Sequence, residues 1–446
     1  MKTLVVSGGF PLKGEMAIAG AKNVALKACV AALLTDEELI LHNVPRIQDV
    51  YSILEVLKSL GVRSVFKHNT LRVSAKHLAT TTVPLEIGAS LRASSLAMGP
   101  LIARHGQANI PNPGGCRIGA RPIDRQIDGL RKMGASILYN STDGYFHATA
   151  LRLSGTDYTF TKNTHTGTEA LLLAAVLAKG RTILSNAAQE VEVDDLISIL
   201  SRMGAKIKRT SQRQVVIDGV DALHGTEYTL MPDRNEEVTF AIAAAITGGE
   251  IMIHNSQRKH LGPFLRAFRK AGAMWKPCGE ATTKYWIKGN VRPTIITTAP
   301  YPGFMTDWQG PWAVLMTQAF GNSTIHETVF ENRFSYVSEL MKMGANIEFF
   351  DPPVKHPEEF YNFNWEDHKN ELHQGILIHG PTKLHNAVVE MRDLRAGATL
   401  VLAALAASGT TYIQGIEHID RGYEKIEERL TSLGASIRRV TRGDGV

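Results

Sequence analysis

Cysteine is scarce in this chain: three residues, Cys29, Cys116 and Cys278, among 446. That excludes a disulfide framework and points to a reducing compartment, the cytoplasm. No apolar run approaches the roughly 20 residues of a membrane span. The longest, such as Ala170 to Ala178, have the length of a core helix, so no membrane insertion is expected. The opening Met1-Lys2-Thr3-Leu4-Val5-Val6 is too short for a signal peptide and reads as a strand. Aromatics are only 7% and do not accompany the arginines, which argues against a nucleic-acid partner. The sixteen histidines are scattered, with no helical His-x-x-x-His pair, so no metal is expected. There is no glycine-rich dinucleotide fingerprint and no Walker loop, hence no cofactor.

What is present is ordinary globular material, 44% apolar and 21% charged. Such a length exceeds one hydrophobic core and predicts two or three domains. The net charge of +6 suits an anionic small molecule or weak nucleic-acid affinity equally. The most informative stretch runs from Asn112 to Asp124 and reads NPGGCRIGARPID. Gly114 and Gly115 allow close approach to a ligand, and Arg117 and Arg121 raise the thiolate fraction of Cys116. Pro122 suits a helix start, Asp124 its positive end, and Ile123, Ile127 and Leu130 its apolar stripe. Cys29 reads as packing.

A short phrase, apolar-x-x-apolar or small-Gly-Ala or Val, occurs six times, with glycines at 61, 134, 204, 272, 344 and 434. Each phrase closes a helix and opens a strand. Upstream of several phrases lie a small-residue-rich helix and a strand, such as Ala170–Ala178 then Thr182–Ser185. This period near 70 predicts six helix-strand repeat units, three in each of two domains, with apolar helices inside and sheets outside. Stepping back 37 to 42 residues from each glycine lands on Lys22, Arg92, Thr166, Arg234, Asp307 and Arg395. Helix N-termini attract anions, and four of these six positions add a cation. If the helices point one way in each domain, two facing domains enclose an anion-binding cleft.

Longer motifs carry a resemblance. They are Gly20-Ala21-Lys22-Asn23, Pro113-Gly114-Gly115-Cys116, Gly119-Ala120-Arg121-Pro122-Ile123-Asp124, Pro232-Asp233-Arg234, Thr306-Asp307, Phe330-Glu331-Asn332-Arg333-Phe334, Asp393-Leu394-Arg395 and His418-Ile419-Asp420-Arg421-Gly422-Tyr423-Glu424. Together they resemble the enolpyruvyl transferase superfamily, in particular its UDP-N-acetylglucosamine-using branch in peptidoglycan synthesis. The resemblance implies an α/β fold, a two-domain inside-out α/β barrel with its active site in the interdomain cleft. Residues 22–231 would form one domain, and 1–21 with 232–446 the other. A monomer is expected, with weak self-association the alternative.

The reaction so implied moves the enolpyruvyl group of phosphoenolpyruvate to the 3-hydroxyl of UDP-N-acetylglucosamine, releasing phosphate through a tetrahedral ketal. Lys22, Arg121 and Arg421 would hold phosphate and carboxylate, with Arg395 assisting. Cys116 would protonate C3 and form the covalent adduct, and Asp307 would take the hydroxyl proton. The remaining substrate contacts would be Asn23, Arg92, Pro122, Ile123, Asp124, Arg125, Gln126, Lys162, Thr164, His165, Thr166, Arg234, Val329, Arg333 and Asp393. On local sequence alone Asp307 and Asn23 also read as helix caps. Cys116 further implies alkylation by the epoxide antibiotic fosfomycin.

Two departures stand out. The family's usual Ser-Val-Gly-Ala-Thr is Thr164-His165-Thr166-Gly167-Thr168 here, and Gln126 replaces a usual histidine. They leave open a different nucleotide or other hydroxyl as acceptor. The last repeat spacing is 90, against 68 to 73 elsewhere, and the excess lies at Asp351–Leu372. Its prolines and acids suggest an exposed excursion, and its aromatics suggest docking, on its own domain or on a partner. A non-catalytic basic repeat protein is the remote alternative.

Overall fold

The computed structural model describes residues 2–114, 122–369 and 371–441. They divide into two compact units. A middle unit comprises residues 20–114 and 122–231, and a terminal unit residues 2–19 and 232–441. Each has its own apolar core.

The small-residue-rich segments form the inner helices. In the middle unit these are Lys22–Ala31, Met98–His105 and His165–Ala175, the second preceded by the 3-10 turn Arg92–Ala97. In the terminal unit they are Arg234–Ile246, Thr306–Thr317 and Leu394–Ala406. Along Leu394–Ala406 only Arg395 and Ala406 escape full burial, as expected of a helix apolar all round. Close contact between these helices depends on small residues. A Cβ on Gly310 would come within 2.4 Å of Thr399 Oγ1 on the neighbouring helix.

Sheets cover the helices with one repeated strand order. Thr226–Thr229 runs parallel to Leu39–His42, which pairs antiparallel with Thr70–Ser74, and that strand with Arg63–Lys67. The same order recurs in four further sheets, two of which are completed by N-terminal strands. Lys13–Ala17 lies parallel to Glu250–His254. Lys2–Ser7 sits between Thr410–Gln414 and Ser436–Thr441, with Val5 opposite both Tyr412 and Arg438. The sixth sheet has three strands, and only an isolated bridge, Thr82 to Asn109, marks the outer place.

The repeated phrase is a helix C-cap. All six glycines have φ between 90° and 101°, the left-handed region that a Cβ disfavours. Gly134 N–H donates to Arg131 O at 2.9 Å and Ala135 N–H to Leu130 O at 3.1 Å, so the Gly-Ala pair satisfies the last carbonyls of the helix. A second repeat was not read from the sequence. Asn43, Asn186 and Asn255 each follow a strand with positive φ. Their side chains donate to Leu230, Phe160 and Ile18 carbonyls, tying each strand to the chain beside its outer neighbour.

Candidate active site

The six positions counted back from the glycines all fall at helix starts. Lys22 and Arg234 are first residues, Thr166, Asp307 and Arg395 second, and Arg92 opens its 3-10 turn. Cys116 and Arg121, with Arg117 beside them, lie outside the described residues. The remaining predicted residues fall into two groups, one in each unit.

In the middle unit, Lys22 Nζ lies 2.7 Å from Asp49 Oδ2, with both side chains nearly buried. Asn23 follows on the same helix and is not its cap, a place held by Ala21. Arg92 donates to Pro122 O at 2.9 Å, anchoring the start of the segment that leads into helix Asp124–Lys132. Pro122 therefore stands two residues ahead of the helix rather than at its first position. Ile123 and Gln126 are buried, Asp124 is exposed, and Tyr158 OH donates to Arg125 O at 3.1 Å. Thr164 caps helix His165–Ala175 by accepting from Gly167 N at 3.1 Å, with Lys162 and Thr166 partly exposed on either side.

His165 turns to an inner partner. Its Nε2 is 2.9 Å from Glu169 Oε1, and Glu169 Oε2 is 3.1 Å from Lys27 Nζ. Burial favours the neutral ring, but Glu169 outweighs it, and the His165 pKa stands above the histidine norm. Lys27 and Glu169 escaped the sequence reading. Their signal is a charge set within or beside an alanine-leucine helix.

In the terminal unit, Asp307 faces two guanidinium groups, Arg333 at 2.7 Å and Arg395 at 3.4 Å. It is not a cap, because the cap position is Met305. Asp393 does cap, accepting from the backbone N–H of Arg395 at 2.9 Å and of Ala396 at 3.0 Å, and it lies 3.7 Å from Arg333. Arg395 also donates to Tyr423 OH at 3.2 Å. Burial opposes the charge of Arg395, yet Asp307, Tyr423 and Asp233 raise its pKa above the arginine norm. Arg234 is buried with its guanidinium 4.6 Å from the Tyr301 ring centre. Arg421 is partly buried just past the short helix Glu417–Asp420.

Behind this group lies a carboxylate that the sequence reading missed. Glu327 is fully buried, and its Oε1 accepts from the backbone N–H of Val329 at 2.7 Å and of Phe330 at 3.1 Å. Its Oε2 accepts from Thr306 Oγ1 at 2.9 Å, and that hydroxyl in turn accepts from Arg333 Nε at 3.3 Å. Of the other cysteines, Cys29 is packing, with burial pushing its thiol up to about 12, and Cys278 is exposed. Among the described residues no group of three or more His, Cys, Asp and Glu could hold a metal ion, and no helix is long and apolar enough to cross a membrane.

Fold and side chains define a class: a six-repeat α/β protein of two units whose helix starts carry cations suited to anionic ligands. Solved structures share the fold over nearly the whole length. The enolpyruvyl transferase NikO from Streptomyces tendae superposes with a TM-score of 0.85 at 24% identity, covering 99% of each chain. An EPSP synthase from Acinetobacter baumannii gives 0.74 at 18%, covering 99% of this chain and 100% of the other. The family model for EPSP synthase (3-phosphoshikimate 1-carboxyvinyltransferase) matches residues 6–430. Proteins named UDP-N-acetylglucosamine 1-carboxyvinyltransferase are 42% identical in Koribacter versatilis, covering 99% of this chain and 97% of that one. In Solibacter usitatus the figure is 43%, covering 99% and 100%. The chain belongs to the UDP-N-acetylglucosamine 1-carboxyvinyltransferase family, within the wider group of EPSP-synthase folds.

Proposed function

We propose that this enzyme transfers the enolpyruvyl group of phosphoenolpyruvate to the 3-hydroxyl of UDP-N-acetylglucosamine, releasing inorganic phosphate, as a cytoplasmic step of peptidoglycan synthesis. The observation that carries the reading is Asp307 held between Arg333 and Arg395 at a buried helix start, in a chain 42–43% identical to the named relatives over nearly its full length. Two guanidinium groups favour the carboxylate as an anion, the form able to accept a proton.

In this reading Asp307 takes the proton of the sugar hydroxyl as its oxygen adds to C2 of phosphoenolpyruvate. Cys116 protonates C3, giving a tetrahedral ketal. Loss of a proton from C3 then expels phosphate and restores the double bond. Lys22, Arg121, Arg395 and Arg421 neutralise the substrate's phosphate and carboxylate. Arg92, Pro122 to Gln126, Lys162, Thr164 to Thr166 and Val329 would serve the sugar-nucleotide side, with Asn23, Arg234, Arg333 and Asp393 as further substrate contacts.

A second acceptor, another nucleotide, is favoured by the inward pairing of His165 with Glu169 and by the glutamine at 126. The test is phosphate release from phosphoenolpyruvate with and without UDP-N-acetylglucosamine, for wild type and Cys116→Ala. Release that needs both the sugar nucleotide and the thiol supports the reading. A phosphoenolpyruvate adduct on Cys116 without turnover would keep the chemistry and refute the acceptor. Fosfomycin should alkylate wild type and leave Cys116→Asp unmodified.

A further inference from the structure

In four other units the two hairpin strands are joined by tight turns, at 68–69, 141–144, 212–213 and 280–281. In the fifth, residues 351–374 stand in place of such a turn, between strands Asn346–Phe350 and Gly375–Gly380. The acids of this excursion are exposed, while part of its aromatic segment packs inward. Tyr361 and Phe363 are buried, and Tyr361 stacks on Trp365 at 5.0 Å and 8°. Phe360 stacks on His326 at 5.4 Å, and Tyr361 OH lies 3.1 Å from His326 Nε2. The excursion thus sits on the end of strand Gly321–His326, where the chain turns into Thr328–Glu331.

Backbone contacts make the coupling specific. Asn362 N–H donates to Thr328 O at 2.8 Å, and Gln374 Nε2 to Glu331 O at 2.9 Å. Glu327 N–H donates to Gln374 O at 2.8 Å. The turn is therefore clamped on one side by the Glu327 carboxylate and on the other by the excursion. Val329, assigned above to the sugar-nucleotide side, lies between the two clamps.

We infer that residues 351–374 are a positioning element for acceptor binding, holding the Thr328–Glu331 turn in its binding shape through Asn362, Tyr361 and Gln374. The inference rests on the proposed acceptor. An ordered turn costs less to fix when the sugar nucleotide binds, so loosening it should raise KM for the acceptor and spare kcat.

Asn362→Pro deletes the N–H to Thr328, and Tyr361 already has φ −77° and ψ 141°, a conformation a following proline accepts. We expect KM for UDP-N-acetylglucosamine to rise roughly three- to tenfold, the ratio set by one hydrogen bond. KM for phosphoenolpyruvate and kcat should change less than about twofold. Asn362→Ala keeps the N–H, so its effect on KM and on exchange should be smaller than that of proline. Amide exchange at Val329 and Phe330 in the ligand-free enzyme should quicken in the proline variant and, to a smaller extent, in Tyr361→Phe, which carries the test if the proline variant fails to fold. Unchanged exchange and KM in a folded variant would overturn the inference, as would an alanine effect equal to that of proline. Wild type inactive with this acceptor would count against the proposed function, while the exchange result would still judge the clamp.

Discussion

Replacing Glu169 by glutamine removes one charge from a buried row of three. The carboxylate is fully buried, with Lys27 3.1 Å from one oxygen and His165 2.9 Å from the other. At 3.1 Å and an effective dielectric of 20 the gross attraction of Lys27 and Glu169 is about 5 kcal/mol. Breaking such a pair by neutralising one partner costs about 3–5 kcal/mol, because the ammonium stays buried and uncompensated. Glutamine still offers an acceptor, so the low end, about 3 kcal/mol, is expected. With an m-value of about 2–3 kcal/mol/M in urea for a unit this size, the midpoint should fall by about 1 M or more. All five tryptophans (Trp275, Trp286, Trp308, Trp312 and Trp365) lie in the terminal unit. Far-UV circular dichroism should therefore show an early transition that tryptophan fluorescence does not follow. The pH dependence gives a second reading. The folded pKa of His165 is raised above the usual 6.5, so its contribution is fully present below about pH 6.5 and is lost as pH rises through the raised value. In the glutamine variant burial and Lys27 both disfavour the charged ring, and the slope should reverse. Replacing the pair together, Lys27→Met with Glu169→Leu, should recover most of the loss. A midpoint shift below about 0.3 M in the single variant would refute the argument, since it would mean the charges are not desolvated.

Asp307→Asn should lower kcat by about 10²–10⁴ with a small change in KM for phosphoenolpyruvate, measured by steady-state phosphate release. Glu327→Gln keeps an acceptor for the Val329 and Phe330 amides but replaces the acceptor of the Thr306 hydroxyl with a donor. It should cost about 1–3 kcal/mol, read by tryptophan fluorescence in urea. Gly134→Ala meets no atom within 4 Å and should cost only the left-handed strain, about 1 kcal/mol. In Gly20→Ala the Cβ would fall 1.6 Å from Asn43 O, so the backbone itself must move. Thermal melts should place that variant well below Gly134→Ala, and equal melting temperatures would contradict the packing argument.

Local rules were legible along the chain. A Gly-Ala or Gly-Val step after a helix can satisfy the last carbonyls wherever it occurs, so six phrases announced six caps and, by counting back, six helix starts. The α/β architecture and the inner helices followed from period and composition. The Asn43, Asn186 and Asn255 turns were equally repetitive and were overlooked because asparagine is a weaker mark of positive φ than glycine. Other features had no local signature. Lys27 and Glu169 are charges that apolar patterning would place in a core only as an error, and nothing near either one names its partner 142 residues away. Thr306-Asp307 read as a cap because capping is a local habit, yet the carboxylate went to Arg333 and Arg395. Likewise, the short apolar run of Lys2–Ser7 reads as a strand without saying that it would lie between Thr410–Gln414 and Ser436–Thr441. Sequence alone marked the six glycine-capped helix ends and, by counting back, six helix starts, because those bonds close within a few residues. Which charges meet, which strand completes a sheet and where residues 351–374 dock were decided only by the tertiary structure, since those energies exist only once distant segments have excluded water together.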